Sequence, residues 1–184
     1  MTFETQGEWE AWLEEHHADL AGIWLKIAKK GAGVRSVTYA EALEGALCYG
    51  WIDGQKAAFD AGYWLQRFTP RRAKSIWSRV NRDKAIALIA AGRMQPAGLR
   101  QVDLAQSDGR WEAAYASQRT STIPDDFESA LAGNPKARQF FDSLDSANRY
   151  AILFRIHTAK RTETRAARIA TFIAMLANGE KIHP

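Results

Sequence analysis

A predicted β-hairpin constrains the fold of this chain more than any other feature of its sequence. Residues 51–59 and 63–68 are predicted strands, and the Asp60-Ala61-Gly62 connection between them is short and contains glycine, as hairpin turns commonly do. Residues 22–29 are rich in β-branched and aromatic side chains and begin at a glycine, which predicts another strand. The sequence therefore predicts a small sheet of at least three strands.

Helix-start signals flank these strands. Thr5 with Glu8, and Thr38 with Glu41, have the spacing of a capping box, in which each side chain can satisfy the other's backbone N–H. A further helix is expected to begin near Thr69-Pro70, because a proline in the first helical turn loses no hydrogen bond. Helices are also predicted over residues 83–91, 96–107, 125–131, 135–144, 147–159 and 162–178, with an irregular connection over 108–124.

These elements predict an α+β fold, in which a small antiparallel sheet is packed by helices and followed by an all-helical C-terminal bundle. We expect an α+β domain over residues 1–120, which includes the aromatic and basic hairpin, and a helical region over 121–184. A chain of 184 residues is also short enough for the two to form one continuous compact domain.

The composition favours a cytoplasmic protein. Residues 1–8 contain neither the basic nor the apolar region of a secretory signal, and no apolar run approaches the roughly 20 residues of a membrane span. The single cysteine, Cys48, cannot form an internal disulfide, which fits a reducing compartment.

The net charge of +4 is unevenly distributed. Residues 63–84 contain seven basic groups and one acidic group, and residues 149–184 contain seven basic and two acidic groups. These two stretches could meet as one positive surface in the fold, or they could be two unrelated solvated faces. The sequence leaves both possibilities open.

The first basic stretch is a candidate anion-binding site. Arg67, Arg71, Arg72 and Lys74 cluster where a strand is expected to lead into a helix, whose N-terminus would favour an anion. Guanidinium groups add bidentate donors for phosphate or carboxylate. The predicted binding residues are Trp51, Asp53, Arg67, Thr69, Arg71, Arg72, Ser75, Trp77, Ser78 and Asn81.

A simpler alternative is that Arg67 pairs with Asp53 or Asp60 across the hairpin while the other basic groups face water. Strand alternation places Tyr63, Leu65 and Arg67 on one face, and Trp64, Gln66 and Phe68 on the other. One face must pack against helices, so we expect most aromatic rings of this region to be core residues. Any remaining rings could form a stacking platform beside the arginines, as in single-strand nucleic-acid binders.

The second basic stretch is predicted to be helical. Arg161, Arg165 and Arg168 fall on one stripe of a helix, and a separate apolar stripe contains Ile169, Phe172, Ile173 and Leu176. This pattern is typical of an ordinary amphipathic surface helix. The functional alternative is a surface that docks to an acidic partner or to anionic lipid head groups.

Residues with obvious catalytic or metal-binding chemistry are few. His16 and His17 are adjacent, so they point about 100° apart on a helix and cannot face one metal ion. Cys48 lies at the end of a predicted helix, where the dipole raises the pKa of a thiol. Asp53 is the one acidic residue in its motif and could act as a base or a substrate ligand. We expect no metal site and no cofactor.

Two groups of residues carry a resemblance to a known family. The first comprises CYGWIDG at 48–54, QRFTPRR at 66–72, Ser75, Trp77, Ser78 and Asn81, and the second comprises NRY at 148–150, TAKRTETR at 158–165, Arg168, Ile169, Met175 and Leu176. Together they resemble the YdeI/OmpD-associated family, also described as OmdA-like. The resemblance implies a bacterial protein linked to bacteriocin protection and to tolerance of antimicrobial peptides, without an established catalytic mechanism.

The residues and the resemblance together predict an accessory stress protein of the bacteriocin-protection type. Its expected partner is an anionic small molecule or an acidic protein surface. An enzyme that uses Asp53 and the arginines on an anionic metabolite is one alternative. A single-stranded nucleic-acid binder is another, although no RNP, KH, zinc-finger or helix-turn-helix signature supports it.

Overall fold

The structure, a computed structural model, describes residues 1–19 and 21–184. In these residues it contains eight α-helices and three β-strands, which confirms the predicted α+β class. In chain order they are α1 Gln6–His16, β1 Ile23–Ala28, α2 Tyr39–Cys48, β2 Trp51–Ala58, β3 Tyr63–Pro70, α3 Arg79–Ala90, α4 Pro96–Ser107, α5 Asp125–Ala132, α6 Pro135–Ser143, α7 Ser146–His157 and α8 Thr162–Ala177.

The three strands form one antiparallel sheet in the order β1-β3-β2, so β3 of the predicted hairpin is the central strand and β2 is an edge strand. A bulge interrupts the pairing of β2 with β3 between Asp53 and Lys56. Gln66 pairs with Lys56 beside this bulge and is fully buried, and its Nε2 donates to the carbonyl oxygen of Gly54 at 2.9 Å. The bulge thus supplies hydrogen bonds to a polar side chain that alternation places among core residues.

The predicted helix start at Thr69-Pro70 is wrong. Strand β3 continues through Pro70, because Thr69 pairs with Ile52 and Pro70 pairs with Trp51. The N–H of Arg71 then donates to the carbonyl oxygen of Gly50 at 2.9 Å. A proline is tolerated at a strand end as well as in a first helical turn, and here the neighbouring strand decides between the two.

The other helix starts agree with their local signals. Thr38 and Glu41 form the reciprocal capping box, whereas Thr5 caps α1 alone, since the Glu8 carboxylate accepts from the N–H of Glu4. Helix α3 begins earlier than predicted, at Arg79, behind the capping residue Ser78. The predicted helices after it are present with ends that agree within two residues, and residues 108–124 contain no helix or strand.

The chain divides into two compact units, residues 1–114 and 115–184. The core of the first unit is built around Trp9, whose side chain is fully buried and whose Nε1 donates to the carbonyl oxygen of Ala42 at 2.9 Å. Its ring contacts those of Trp12, Trp51 and Phe68. The core of the second unit consists of apolar residues from α5 to α8, including Phe127, Phe141, Ile152, Ile156 and Leu176.

Candidate functional site

The connection from β3 to α3, residues 71–78, is called the 71–78 loop below. Arg71 points into the protein and is only 6% exposed. Its guanidinium carbon lies 3.5 Å from the centroid of the Trp77 ring, and its Nη1 donates to the carbonyl oxygen of Ile76 at 3.3 Å. Arg71 therefore stabilises the loop from inside and does not present its charge to solvent.

A second buried arginine supports the same loop. Arg110 is 6% exposed, and its Nη1 donates to the carbonyl oxygen of Ser75 at 2.7 Å, while its Nε pairs with Asp108 at 2.7 Å. Arg110 is not among the residues that the sequence predicts for the site, because residues 108–124 carry no periodic pattern. The Asp108-Gly109-Arg110 spacing was the one local signal that could have indicated it.

Two of the neutral polar residues predicted for the site, Ser75 and Ser78, accept hydrogen bonds from nearby backbone N–H groups. Ser75 Oγ accepts from the N–H of Arg72 at 3.0 Å, and Ser78 Oγ accepts from the N–H of Asn81 at 3.1 Å as the cap of α3. Asn81 is itself buried at the start of α3. Both aromatic residues of the predicted site, Trp51 and Trp77, are core residues that are each 1% exposed.

Arg72 and Lys74 remain at the surface of the 71–78 loop and are exposed. Within residues 1–19 and 21–184, neither forms a salt bridge. The loop therefore carries two exposed cations, Arg72 and Lys74, while the buried Arg71 and Arg110 stabilise its backbone from the interior of the protein.

The other predicted site residues lie on opposite faces of the sheet. Arg67 and Thr69 share the face away from the core, where the Arg67 guanidinium lies 5.6 Å from the centroid of the Trp24 ring. Asp53 pairs with Phe68 and so lies on the other face, where it accepts from the Tyr39 hydroxyl at 2.8 Å. The ten predicted residues thus do not converge, and no salt bridge joins Arg67 to Asp53 or Asp60 in the described part of the chain.

Asp53 belongs to a different cluster, which also includes Tyr39, Lys56 and Trp64. The Lys56 ammonium lies 5.2 Å from the centroid of the Tyr39 ring and 5.0 Å from that of the Trp64 ring. The two ring centroids are 6.1 Å apart. This cluster has no short-range sequence signal, since it depends on the packing of Tyr39 in α2 beside β2 and β3.

The C-terminal basic stripe is partly neutralised within its own unit. Arg165 pairs with Asp126 at 2.6 Å, and this hydrogen bond is the main reason why the pKa of Asp126 is lowered. Arg168 Nη1 donates to the carbonyl oxygen of Arg155. Arg161 is exposed, so the three arginines do not form one uniform surface.

Cys48 is unsuited to be a nucleophile at neutral pH. The thiol is 2% exposed, and burial raises its pKa to about 11, further than the charge of nearby Arg93 can lower it. Arg93 is itself shared by Glu10 and Glu44, at 2.8 and 3.1 Å. The direction agrees with the sequence expectation, and burial is its largest cause.

Because of this shift, we expect the free energy of unfolding to fall as the pH rises from about 9 to about 11. In that window the thiol of the unfolded chain loses its proton while the thiol of the folded protein keeps it. The free energy of unfolding therefore falls by up to about 3 kcal/mol. Urea titrations of the wild type and Cys48→Ala at pH 8, 9.5 and 11 measure the difference. If the free energy of unfolding fell equally with pH in both proteins, the raised pKa of Cys48 would be contradicted.

Two general features complete the description. Among residues 1–19 and 21–184, no three or more His, Cys, Asp or Glu side chains are grouped as metal ligands would be. No helix in the same residues has the length and apolarity needed to cross a membrane.

Fold and sites together define an α+β protein with a three-stranded antiparallel sheet in its first unit and a helical second unit. Residues 1–101 match the model of a domain of unknown function, DUF8412, and the chain belongs to that family. Residues 120–179 match the family described as Bacteriocin-protection, YdeI or OmpD-Associated.

The second match confirms the YdeI/OmpD-associated resemblance for the C-terminal part of the chain. The motif residues between 48 and 81 fall within the DUF8412 match instead. Comparison with curated proteins and with solved structures gives no match to this chain.

Proposed function

We propose that this protein is an accessory protein of the bacteriocin-protection type, which binds an anionic small molecule or an acidic protein surface through Arg72 and Lys74. The observation that carries the proposal is the 71–78 loop, which displays these two exposed cations above two buried arginines. The match of residues 120–179 to the bacteriocin-protection family supports the biological setting.

The electrostatics of the loop favour an anion. Residues 63–84 contain seven basic groups against Asp83 alone, and Asp83 contacts Arg82 at 3.3 Å. Neither Arg72 nor Lys74 has an acidic partner to displace among the described residues. A carboxylate or phosphate would therefore gain charge-assisted hydrogen bonds without first breaking an internal ion pair.

The loop is also held in place before any ligand arrives. Arg71 bonds to Ile76, Arg110 bonds to Ser75, and the Ser75 hydroxyl bonds to the N–H of Arg72. These contacts fix the backbone that carries Arg72, so less conformational entropy is lost on binding. In this proposal Arg71 and Ser75 support the loop, whereas the sequence predicts that they contact the ligand directly.

The test is a double variant, Arg72→Ala with Lys74→Ala, titrated with pyrophosphate and with a glutamate-rich peptide. We expect the affinity for at least one probe to fall about tenfold or more, since two charge-assisted contacts of about 1 kcal/mol or more are removed. Calorimetry measures the affinity, and Lys29→Ala with Lys30→Ala is a matched control that removes two exposed lysines elsewhere.

Equal weakening by the control variant would indicate a general charge effect and contradict a site at the loop. The biological part of the proposal is tested in a bacteriocin-sensitive bacterium that expresses the chain. Wild-type protein should raise survival, and the Arg72→Ala, Lys74→Ala variant should not, at equal expression.

A further inference from the structure

The second unit contains a cavity of about 330 Å³ between α7 and the connection that precedes α5. Its walls come from residues 118–123, from α6 and from one side of α7. The lining residues are Gln118, Ser121, Ile123, Phe141, Ser146, Arg149, Tyr150 and Leu153. This volume is at the lower end of the range for small-molecule sites, so it suits a ligand of a few carbon atoms.

Two of these residues belong to the Asn148-Arg149-Tyr150 motif, to which the 71–78 loop gives no role. Asn148 is a structural residue, because it is 2% exposed and its side chain bonds to Asp145 and to the backbone of His183. Arg149 and Tyr150 line the cavity. The motif therefore has one residue that holds the start of α7 and two that form a wall of the cavity.

The cavity is formed before any ligand arrives. Gln118 Nε2 donates to Ser146 Oγ at 2.9 Å, and the Tyr150 hydroxyl donates to the carbonyl oxygen of Ala116 at 3.1 Å, so the connection is joined to α7. The Ser146 hydroxyl keeps its own hydrogen for a further bond, and Ser121 Oγ makes no hydrogen bond to the residues that the structure describes. A preformed site with available donors loses less entropy when a ligand binds.

Arg149 gives the cavity its charge. It is the one charged residue of the lining, and it forms no salt bridge in the described part of the chain. Its Nε and Nη2 donate to the carbonyl oxygens of Leu144 and Asp142, at 3.0 and 2.8 Å. Its Nη1 makes no hydrogen bond to the described residues, so this group can donate to an anion.

The two acidic residues closest to Arg149 in sequence are bonded elsewhere. The Asp142 carboxylate pairs with Arg138 at 2.8 Å, and the Asp145 carboxylate accepts from the N–H and from Nδ2 of Asn148. Neither residue lines the cavity. An anion at Arg149 would therefore displace no internal carboxylate.

Apolar groups of the lining lie next to this charge. The Arg149 guanidinium carbon is 6.0 Å from the centroid of the Phe141 ring, and both residues line the cavity. Phe141 and Leu153 belong to the buried core of the second unit, and Ile123 packs against it. The lining therefore matches a ligand that combines a negative charge with a short apolar body.

We propose that this cavity binds the carboxylate of a small organic acid. Arg149 Nη1 is the charged donor, the hydroxyls of Ser121 and Ser146 are neutral donors, and the short carbon chain lies against Ile123 and Leu153. A free acid and the C-terminus of a peptide both present this group. The site lies in the second unit and does not depend on the function proposed for the 71–78 loop.

The decisive variant is Arg149→Gln, titrated with butyrate and followed by two-dimensional ¹H–¹⁵N NMR spectra. In the wild type, butyrate should shift the amide signals of residues 118–123 and 146–153. The variant should bind butyrate about tenfold more weakly, because a charge-assisted contact is lost. Arg155→Gln is the matched control, since it removes an exposed arginine of the same helix that does not line the cavity, and it should leave the affinity unchanged.

A second variant separates binding from support of the fold, because Arg149 also bonds to the end of α6. Ser121→Leu keeps Arg149 and fills the cavity, so it should abolish butyrate binding in the folded protein. If Arg149 only stabilised α6, Arg149→Gln would lower the unfolding temperature while the folded variant bound butyrate as the wild type does. That result would overturn the proposal.

Further probes define the ligand. Butyramide and n-butylammonium, which lack the negative charge, should bind much more weakly than butyrate, and equal binding of either would contradict a carboxylate site. N-acetyl-alanyl-alanine that binds more tightly than butyrate identifies a peptide C-terminus as the source, and weaker binding identifies a free acid.

The anion site at the 71–78 loop is tested separately. The Arg72→Ala, Lys74→Ala variant should bind butyrate as the wild type does, and Arg149→Gln should bind pyrophosphate as the wild type does. Loss of butyrate binding in the double variant would place the carboxylate at the loop and overturn the proposal for the cavity.

Discussion

Gly98→Ala should destabilise the first unit by about 1–3 kcal/mol or more, although it adds a single methyl group. Gly98 lies in the first turn of α4 where this helix crosses the end of α2. An added Cβ would meet the carbonyl oxygen of Cys48, and it would lie 2.7 Å from that of Leu47. Both contacts are with backbone atoms, so the strain can be relieved only by moving one helix away from the other.

Gly7→Ala is the matched control. Gly7 is also in the first turn of a helix, α1, but a Cβ there has no neighbouring atom within 4 Å. Alanine should therefore stabilise this position by up to about 1 kcal/mol through its better helix propensity. Thermal unfolding of the two variants measures the difference. A similar effect of both substitutions would contradict a steric origin of the loss at Gly98.

Trp9→Leu is expected to have the largest effect, a loss of about 3–5 kcal/mol in the free energy of unfolding. The Trp9 side chain is 0% exposed and contacts the rings of Trp12, Trp51 and Phe68. Leucine would leave a cavity among these rings and remove the Nε1 hydrogen bond to Ala42. Urea denaturation followed by far-UV circular dichroism gives the value.

Two further variants separate the contributions at Trp9. Trp9→Phe keeps an aromatic ring but loses the hydrogen bond to Ala42, so it should cost less than Trp9→Leu. Trp12→Leu removes the neighbouring ring, which stacks on Trp9 at 5.4 Å but is only half-buried, and should also cost less. Equal losses for Trp9→Leu and Trp12→Leu would show that burial is not the cause.

Much of the fold could be predicted because its signals lie within a few residues of one another. Thr38 and Glu41 are three positions apart, and their side chains complete the helix start without help from other elements. The hairpin turn is equally local, since Asp60 Oδ1 accepts from the N–H groups of Gly62 and Tyr63. Such contacts form in the same way in many folds.

The candidate site was less predictable, because its residues depend on partners far along the chain. Arg71 and Arg72 are adjacent and chemically identical, yet Arg71 is buried against Trp77 and Arg72 is exposed. Arg110, 35 residues from Ser75, supports the loop by a hydrogen bond that no local pattern indicates. The sequence indicated this basic segment as a candidate but could not divide its basic residues between interior and surface.

By itself, the sequence determined the α+β class, the hairpin, most helix starts and the placement of Gln66 and Phe68 on the same face of β3. These follow from backbone hydrogen bonding and strand alternation, which act over short distances. Only the tertiary structure decided that Thr69 and Pro70 extend a strand, through pairing with Ile52 and Trp51. It likewise placed Asp53 beside Tyr39, because contacts between distant elements are fixed by how their faces pack together.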